Sequence, residues 1–215
     1  MNEYILHNQK VYDSLALEYA KRMSTKSQDE EEISTMASYI LDFYLGKGNR
    51  FLELGPGTGQ ILKYMSKNGF DTTGIELSNN MAHLALSNSE DSNIINNNAL
   101  ECDFHDQSFD LIYASAIIHL FTYADASFLI KQIRNWLSED GLLFINTTTH
   151  RVNYEGFISK YDYQDGSCFR FRRLWKEQTF IDFILNNGFE IIHRFKTNEI
   201  SRDKKWIGLT CRKVE

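Results

Sequence analysis

Short apolar runs and helical patterns alternate through residues 50–148 of the chain. Arg50-Phe51-Leu52-Glu53-Leu54 reads as a buried strand ending at Gly55, after which Ile61, Leu62 and Met65 recur at helical spacing until Asn68-Gly69 supplies a C-cap. Thr72-Thr73-Gly74-Ile75-Glu76 is a second strand, and Ser78 is placed to N-cap a helix carrying Met81, Leu84 and Ala85. Asn93-Ile94-Ile95 and Asp110-Leu111-Ile112-Tyr113-Ala114 give strands three and four. Leu129, Ile133, Trp136 and Leu137 mark a helix, and Ser138-Glu139-Asp140-Gly141 turns the chain into a fifth strand, Leu142–Asn146. Alternation of this kind implies right-handed βαβ units. The predicted fold is α/β, a doubly wound, mostly parallel, seven-stranded Rossmann-like sheet with helices on both faces.

Three segments frame that core. Residues 1–45 read as a helical cap, with Tyr12, Leu15 and Tyr19 on one face of one helix and Met36, Ile40 and Tyr44 on another helix. Residues 149–175 are aromatic and charged with weak periodicity, and form a candidate acceptor-site insertion. In 176–215, Phe180, Ile184 and Leu185 mark a helix stopped by Asn187-Gly188, and Phe189–Phe195 and Lys205–Arg212 pair as a closing antiparallel hairpin. With no repeat and no linker, 1–215 is read as one domain, with 46–148 as its core.

Composition narrows the function classes. Hydrophobic residues make up 42% and charged residues 24%, the balance of a globular chain. A net charge of −6 argues against a DNA partner, because neutralising phosphates needs a basic face. Cys102, Cys168 and Cys211 show no metal spacing and read as reduced thiols. No metal site is expected, since the six histidines form no ligand pattern. No apolar run approaches the ~20 residues that span a bilayer, and Met1-Asn2-Glu3-Tyr4 lacks a signal-peptide pattern. A cytoplasmic protein, monomer or homodimer, with no membrane partner is expected.

The richest turn is Glu53-Leu54-Gly55-Pro56-Gly57-Thr58-Gly59-Gln60, at the first strand–helix junction. Glycines there let backbone approach a ligand, and the next helix offers unpaired N–H groups. The third glycine comes one position early for a dinucleotide fingerprint, and no Gly-Lys-Ser/Thr follows for a P-loop. Glu76 ends the second strand 17 positions after Gly59, where an acid accepts hydrogen bonds from ribose hydroxyls. Taken alone, the turn reads equally as structural and the acid as a solvated strand end.

Together these residues resemble class I S-adenosylmethionine-dependent methyltransferases, in particular their small-molecule branch. Glu53-x-Gly55-x-Gly57-x-Gly59 followed by Glu76 is similar to the cofactor site of that family. Asn98-Ala99 stands where the family usually has Asp-Ala beside the adenine. Phe104-x-Asp106-x-Ser108-Phe109-Asp110 resembles the loop into strand four, and Leu137-Ser138-x-x-Gly141-Leu142-Leu143 the turn into strand five. Tyr12-Asp13-x-x-Ala16-x-x-Tyr19 resembles the helix that covers the cofactor, and the tail from Trp175 to Arg212 is also similar.

The resemblance implies S-adenosylmethionine as cofactor and S-adenosylhomocysteine as product. The cofactor residues it implies are Tyr12, Tyr19, Glu53, Gly55, Gly57, Thr58, Gly59, Glu76, Leu77, Met81, Asn98, Ala99, Leu100 and Ser115. Asn98 is expected to turn its amide oxygen to the adenine amino group. The implied activity is methyl transfer to a small-molecule or small peptide acceptor. A non-catalytic nucleoside-binding module and an RNA methyltransferase remain as alternatives, although Ala114-Ser115-Ala116-Ile117 replaces an Asn-Pro-Pro-Tyr-like tetrad.

His119, just after strand four, falls where that branch often faces a histidine to the methyl group. It is the candidate catalytic base, expected to titrate near neutral pH, or else a residue that packs. Candidate acceptor-binding residues are His119, Arg151, Tyr154, Arg172 and Trp175, within an insertion that also carries Phe157, Tyr161, Tyr163, Phe169 and Phe171. Arg170 and Arg172 alternate with Phe171, as on one strand face, and Arg173 follows. This run reads either as an anion site or as a solvated face.

Overall fold

A computed structural model describes residues 2–26, 41, 44, 48–159, 169–199 and 203–214. The expected helix through Met36 and Ile40, together with Cys168, Tyr161 and Tyr163, lies outside them. In chain order the described elements are α1 (Glu3–Lys26), β1 (Arg50–Leu54), α2 (Gln60–Lys67), β2 (Asp71–Glu76), α3 (Asn79–Asn88), β3 (Asn93–Asn96), β4 (Phe109–Ser115), α4 (Tyr123–Trp136), β5 (Leu137–Thr149), β6 (Tyr154–Ser159), β7 (Phe169–Leu174), α5 (Glu177–Asn186), β8 (Phe189–Glu199) and β9 (Lys204–Lys213). One-turn 3-10 helices span Ala99–Glu101 and Ile118–Leu120.

Seven strands form one sheet in the order β3-β2-β1-β4-β5-β9-β8. The first five are parallel, while β9 runs antiparallel to both β5 and β8. The doubly wound expectation and the closing hairpin hold. In β1, Phe51 joins one buried cluster with Leu62, Met65, Leu111 and Phe144. Leu52 and Leu54 join the other, with Leu129, Ile133, Phe180 and Ile184. Strand alternation thus feeds both faces of the sheet, which is why these strands read as unbroken apolar runs.

The ends of elements follow the sequence signals. Ser78 Oγ accepts from Met81 N at 3.2 Å and caps α3. Two differences matter. The expected turn at 138–141 is folded into β5, where the register against β4 jumps from Phe109↔Leu137 to Leu111↔Leu142. The 149–175 segment, where no secondary structure was expected beyond a strand face at 170–172, contains the β6–β7 hairpin, a separate two-stranded sheet bridged to β5 at Thr149↔Trp175. Among the described residues no helix is long and apolar enough to cross a membrane.

This topology gathers distant segments at one edge. Parallel β1, β2, β4 and β5 all end there, and β9 begins there, with Trp206 opposite Thr148 and Lys205 opposite Thr149.

Candidate functional site

At that carboxyl edge lies a cavity of about 310 Å³. Its floor is the turn after β1. Gly57 sits at φ 56°, and a Cβ there would meet nothing within 4 Å, so the turn faces open space. Its N–H donates to Glu76 Oε2 at 3.1 Å, and Ser78 N donates to Oε1 at 2.9 Å. Glu76 is buried, and desolvation, partly offset by these bonds, raises its pKa to about 7. Gly59 has a different reason to be glycine. A Cβ there would come within 2.9 Å of the Ala85 backbone, so it permits α2 and α3 to pack closely.

Glu53 stands behind the turn rather than in the cavity. It is buried, its Oε2 makes no hydrogen bond among the described residues, and burial raises its pKa to about 8. Thr58, Gly59 and Leu100 likewise do not line the cavity. Gly55, Gly57, Glu76, Leu77 and Met81 reach the cavity surface, as do Asn98, Ala99 and Ser115. Asn98 is not oriented as expected. Its Oδ1 accepts from Leu100 N at 3.1 Å, capping the Ala99–Glu101 turn, and its Nδ2 donates to Glu101 at 3.2 Å. Both polar atoms of the Asn98 side chain thus have partners within the protein.

Helix α1 covers this half. Ile5, Asn8, Gln9, Tyr12 and Tyr19 line the cavity at spacings of three, four and seven, one helical face. The helix is pinned by Gln9 Nε2 donating to Leu77 O at 2.9 Å and by Asp13 Oδ1 accepting from Ser78 Oγ at 2.6 Å and Asn80 N at 3.1 Å. Asn8 Oδ1 accepts from Phe171 N at 2.8 Å, tying α1 to β7. The same spacing, extended back from Tyr12, would have revealed Ile5 and Asn8.

The other half begins where β4 ends. Ala116 holds a left-handed φ of 56°, costly for a residue with a Cβ, and its N–H donates to Asn146 Oδ1 at 2.8 Å. Asn146 Nδ2 also donates to Ser115 Oγ at 2.9 Å, so β5 fixes the exit of β4. His119 follows, buried and lining the cavity, with Nδ1 3.1 Å from Thr147 Oγ1. Burial, then the charges of Arg172, Arg170, His150 and Lys204, hold its pKa well below the ordinary value. The expected titration near neutral pH is therefore corrected: the imidazole is neutral throughout that range.

Arg170 and Arg172 both line the cavity, each less than 10% exposed, while Arg173 points away and pairs with Glu155 at 2.6 Å. Lys204 and Trp206 enter from β9 and were missed, because no local pattern announces them. Three expected acceptor residues are not in the cavity. Arg151 and Tyr154 are exposed, and Trp175 is fully buried against Phe180 and Phe183 in the core. An aromatic at the entry to α5 has an apolar helix to cover, which outweighs any ligand.

The residues present fit an adenosine-bearing cofactor. An acid fixed by two backbone donors, an open glycine turn and apolar Met81 and Ala99 all face one cavity. Among the described residues no cluster of histidine, cysteine, aspartate or glutamate suits a metal ion.

A methyltransferase domain family model matches residues 52–145. A protein of Geobacillus sp. (strain WCH70), named by inference as a methyltransferase, is 27% identical over 150 residues, 66% of this chain and 60% of its own. Phosphoethanolamine N-methyltransferase of Plasmodium falciparum is 29% identical over 129 residues, 57% of this chain and 48% of its own. The chain thus spans about half to three-fifths of the length of these curated relatives. Among solved structures, the 1,6-didemethyltoxoflavin-N1-methyltransferase of Burkholderia thailandensis, with 1,6-didemethyltoxoflavin and S-adenosylhomocysteine bound, superposes with a TM-score of 0.69. It is 18% identical, and the match covers 94% of this chain and 88% of that one. That domain match and a sheet of this order make residues 52–145 similar to a methyltransferase domain.

Proposed function

We propose that the protein is an S-adenosylmethionine-dependent methyltransferase acting on a small-molecule acceptor. One observation carries the reading: a single cavity joins the Gly57–Glu76 wall to a second wall built from His119, Arg172 and Trp206. A binding module needs only the first wall. The relative named for phosphoethanolamine and the neighbour solved with a small acceptor support the acceptor class.

Glu76 would hold the ribose hydroxyls, and Gly57 and Ser78 fix its carboxylate for that task. Tyr12 and Tyr19 on α1 would cover the cofactor and keep out water. Bound there, the cofactor supplies an activated methyl group together with its leaving group. Alignment of the acceptor then accounts for much of the rate. His119 would receive the proton of a protonated acceptor on Nε2 in the tautomer whose Nδ1–H donates to Thr147 Oγ1.

The test is calorimetry with S-adenosylhomocysteine and NAD, then incubation with isotope-labelled S-adenosylmethionine and a metabolite extract, read by mass spectrometry. Micromolar binding of the sulfur nucleoside, no binding of NAD and a labelled small product are expected. No binding of the sulfur nucleoside, or binding of NAD, would sink the reading.

A further inference from the structure

Three cationic side chains line the second wall of the cavity, and β7 shows how two of them reach it. Successive side chains alternate across a strand, so Arg170 and Arg172 leave on one face and Arg173 on the other. Arg173 meets the carboxylate of Glu155 and the rings of Tyr123 and Trp175 outside the cavity. Arg170 and Arg172 are turned inward and are 93% and 91% buried. Each is steadied by a hydroxyl: Arg170 Nη1 donates to Tyr12 Oη at 2.5 Å, and Arg172 Nη2 to Thr148 Oγ1 at 2.6 Å. Lys204 joins them from the start of β9, at the same edge of the sheet.

A planar fork of N–H donors matches a carboxylate or phosphate better than any neutral group, and hydroxyl contacts that fix the fork lower the cost of ordering it. The three cations also lie close enough to His119 to lower its pKa, so a ligand held by them sits beside that ring.

We infer that the methyl acceptor carries an anionic group, a carboxylate or a phosphate, and that Arg170 and Arg172 bind it with Lys204 at the rim, beside His119. This rests on the methyltransferase reading for the word acceptor, but the anion site itself does not.

The probes are inorganic phosphate and benzoate, titrated into the full chain by calorimetry at constant ionic strength set with chloride, with S-adenosylhomocysteine titrated in parallel. Wild type is expected to bind at least one of the two probes. Arg172→Gln should weaken that binding roughly tenfold or more, and Arg172→Lys should recover part of it. Lys204→Ala, at the rim, should weaken it only a few-fold, and it provides an independent readout if Arg172→Gln does not fold. All variants that fold should keep their affinity for S-adenosylhomocysteine. Phosphate binding tighter than benzoate assigns a phosphorylated acceptor, and the reverse order a carboxylic acid. Three results would overturn the inference: neither probe binds a protein that binds S-adenosylhomocysteine, chloride alone reproduces the response, or Arg172→Gln and Lys204→Ala bind both probes as wild type does. Anion binding without binding of the sulfur nucleoside would instead overturn the methyltransferase reading and leave the anion site standing.

Discussion

If Glu76 holds the ribose hydroxyls as proposed, cofactor binding is coupled to a proton. Burial raises its pKa to about 7, so at pH 7 the carboxyl group is about half protonated in the ligand-free protein, and about nine-tenths protonated at pH 6. Only the ionised form offers both oxygens to donors, and ribose hydroxyls added to the N–H groups of Gly57 and Ser78 would draw its pKa down. Binding should then release about half a proton at pH 7, about 0.9 at pH 6 and about 0.1 at pH 8. The affinity for S-adenosylhomocysteine should fall nearly tenfold per unit below pH 7 and level off above pH 8. Calorimetry in two buffers of different ionisation enthalpy measures the proton count directly. Glu76→Gln should abolish the proton release and lower affinity at least tenfold at pH 8, because hydrogen bonds to a charged group contribute ~1.5–3 kcal/mol each. Proton release that persists in Glu76→Gln, or a wild-type affinity flat from pH 6 to pH 8, would refute the assignment of Glu76 as the ribose acceptor.

Three further outcomes are expected. Glu53 is held near a pKa of about 8 against an unfolded value of 4.5, so wild type loses stability as pH rises through that window. Glu53→Gln should therefore gain stability relative to wild type between pH 5 and pH 8, by on the order of 4 kcal/mol at most, with no further gain above pH 9; denaturant melts at each pH check this, and a constant difference would count against it. His119→Ala should lower turnover by ~10²–10⁴ with the cofactor dissociation constant unchanged, and the wild-type kcat should show no imidazole titration between pH 6 and pH 8; a variant that only melts earlier assigns His119 to packing. Asn98→Asp sets a carboxylate about 3.2 Å from Glu101, so its melting temperature should drop at pH 7 and recover near pH 4; equal stability at both would show that the Asn98–Glu101 contact is absent in solution.

Much of this was legible before any coordinates. Strand–helix alternation, the cap at Ser78, the glycine turn, Glu76 and the shared strand face of Arg170 and Arg172 follow from periods of 3.6 and 2 and from turn chemistry, all local properties, whereas the inward direction of that face does not. What stayed hidden depended on contacts between distant segments. Lys204 and Trp206 matter only because β9 runs backwards against β5. Trp175 has the composition of a ligand-binding aromatic, yet α5 supplies an apolar face that buries it. His119 could be located by its place after β4, but not its depressed pKa, which comes from burial and from cations on two other strands. Asn98 was read for its donor and acceptor atoms, and the adjacent Leu100 N–H had already claimed one of them.

The two walls of the cavity also differ in how they are encoded. From Gly55 to Ala99, one wall comes from a stretch of fewer than fifty residues inside the main sheet. The other draws on a hairpin outside that sheet, tied to it through Thr149↔Trp175 and the Arg172–Thr148 bond. Exchanging Arg172 on β7 therefore leaves the βαβ scaffold intact, whereas Arg170 also reaches Tyr12 of the covering helix. The hairpin is where substitutions can alter the second wall without touching the strands of the main sheet.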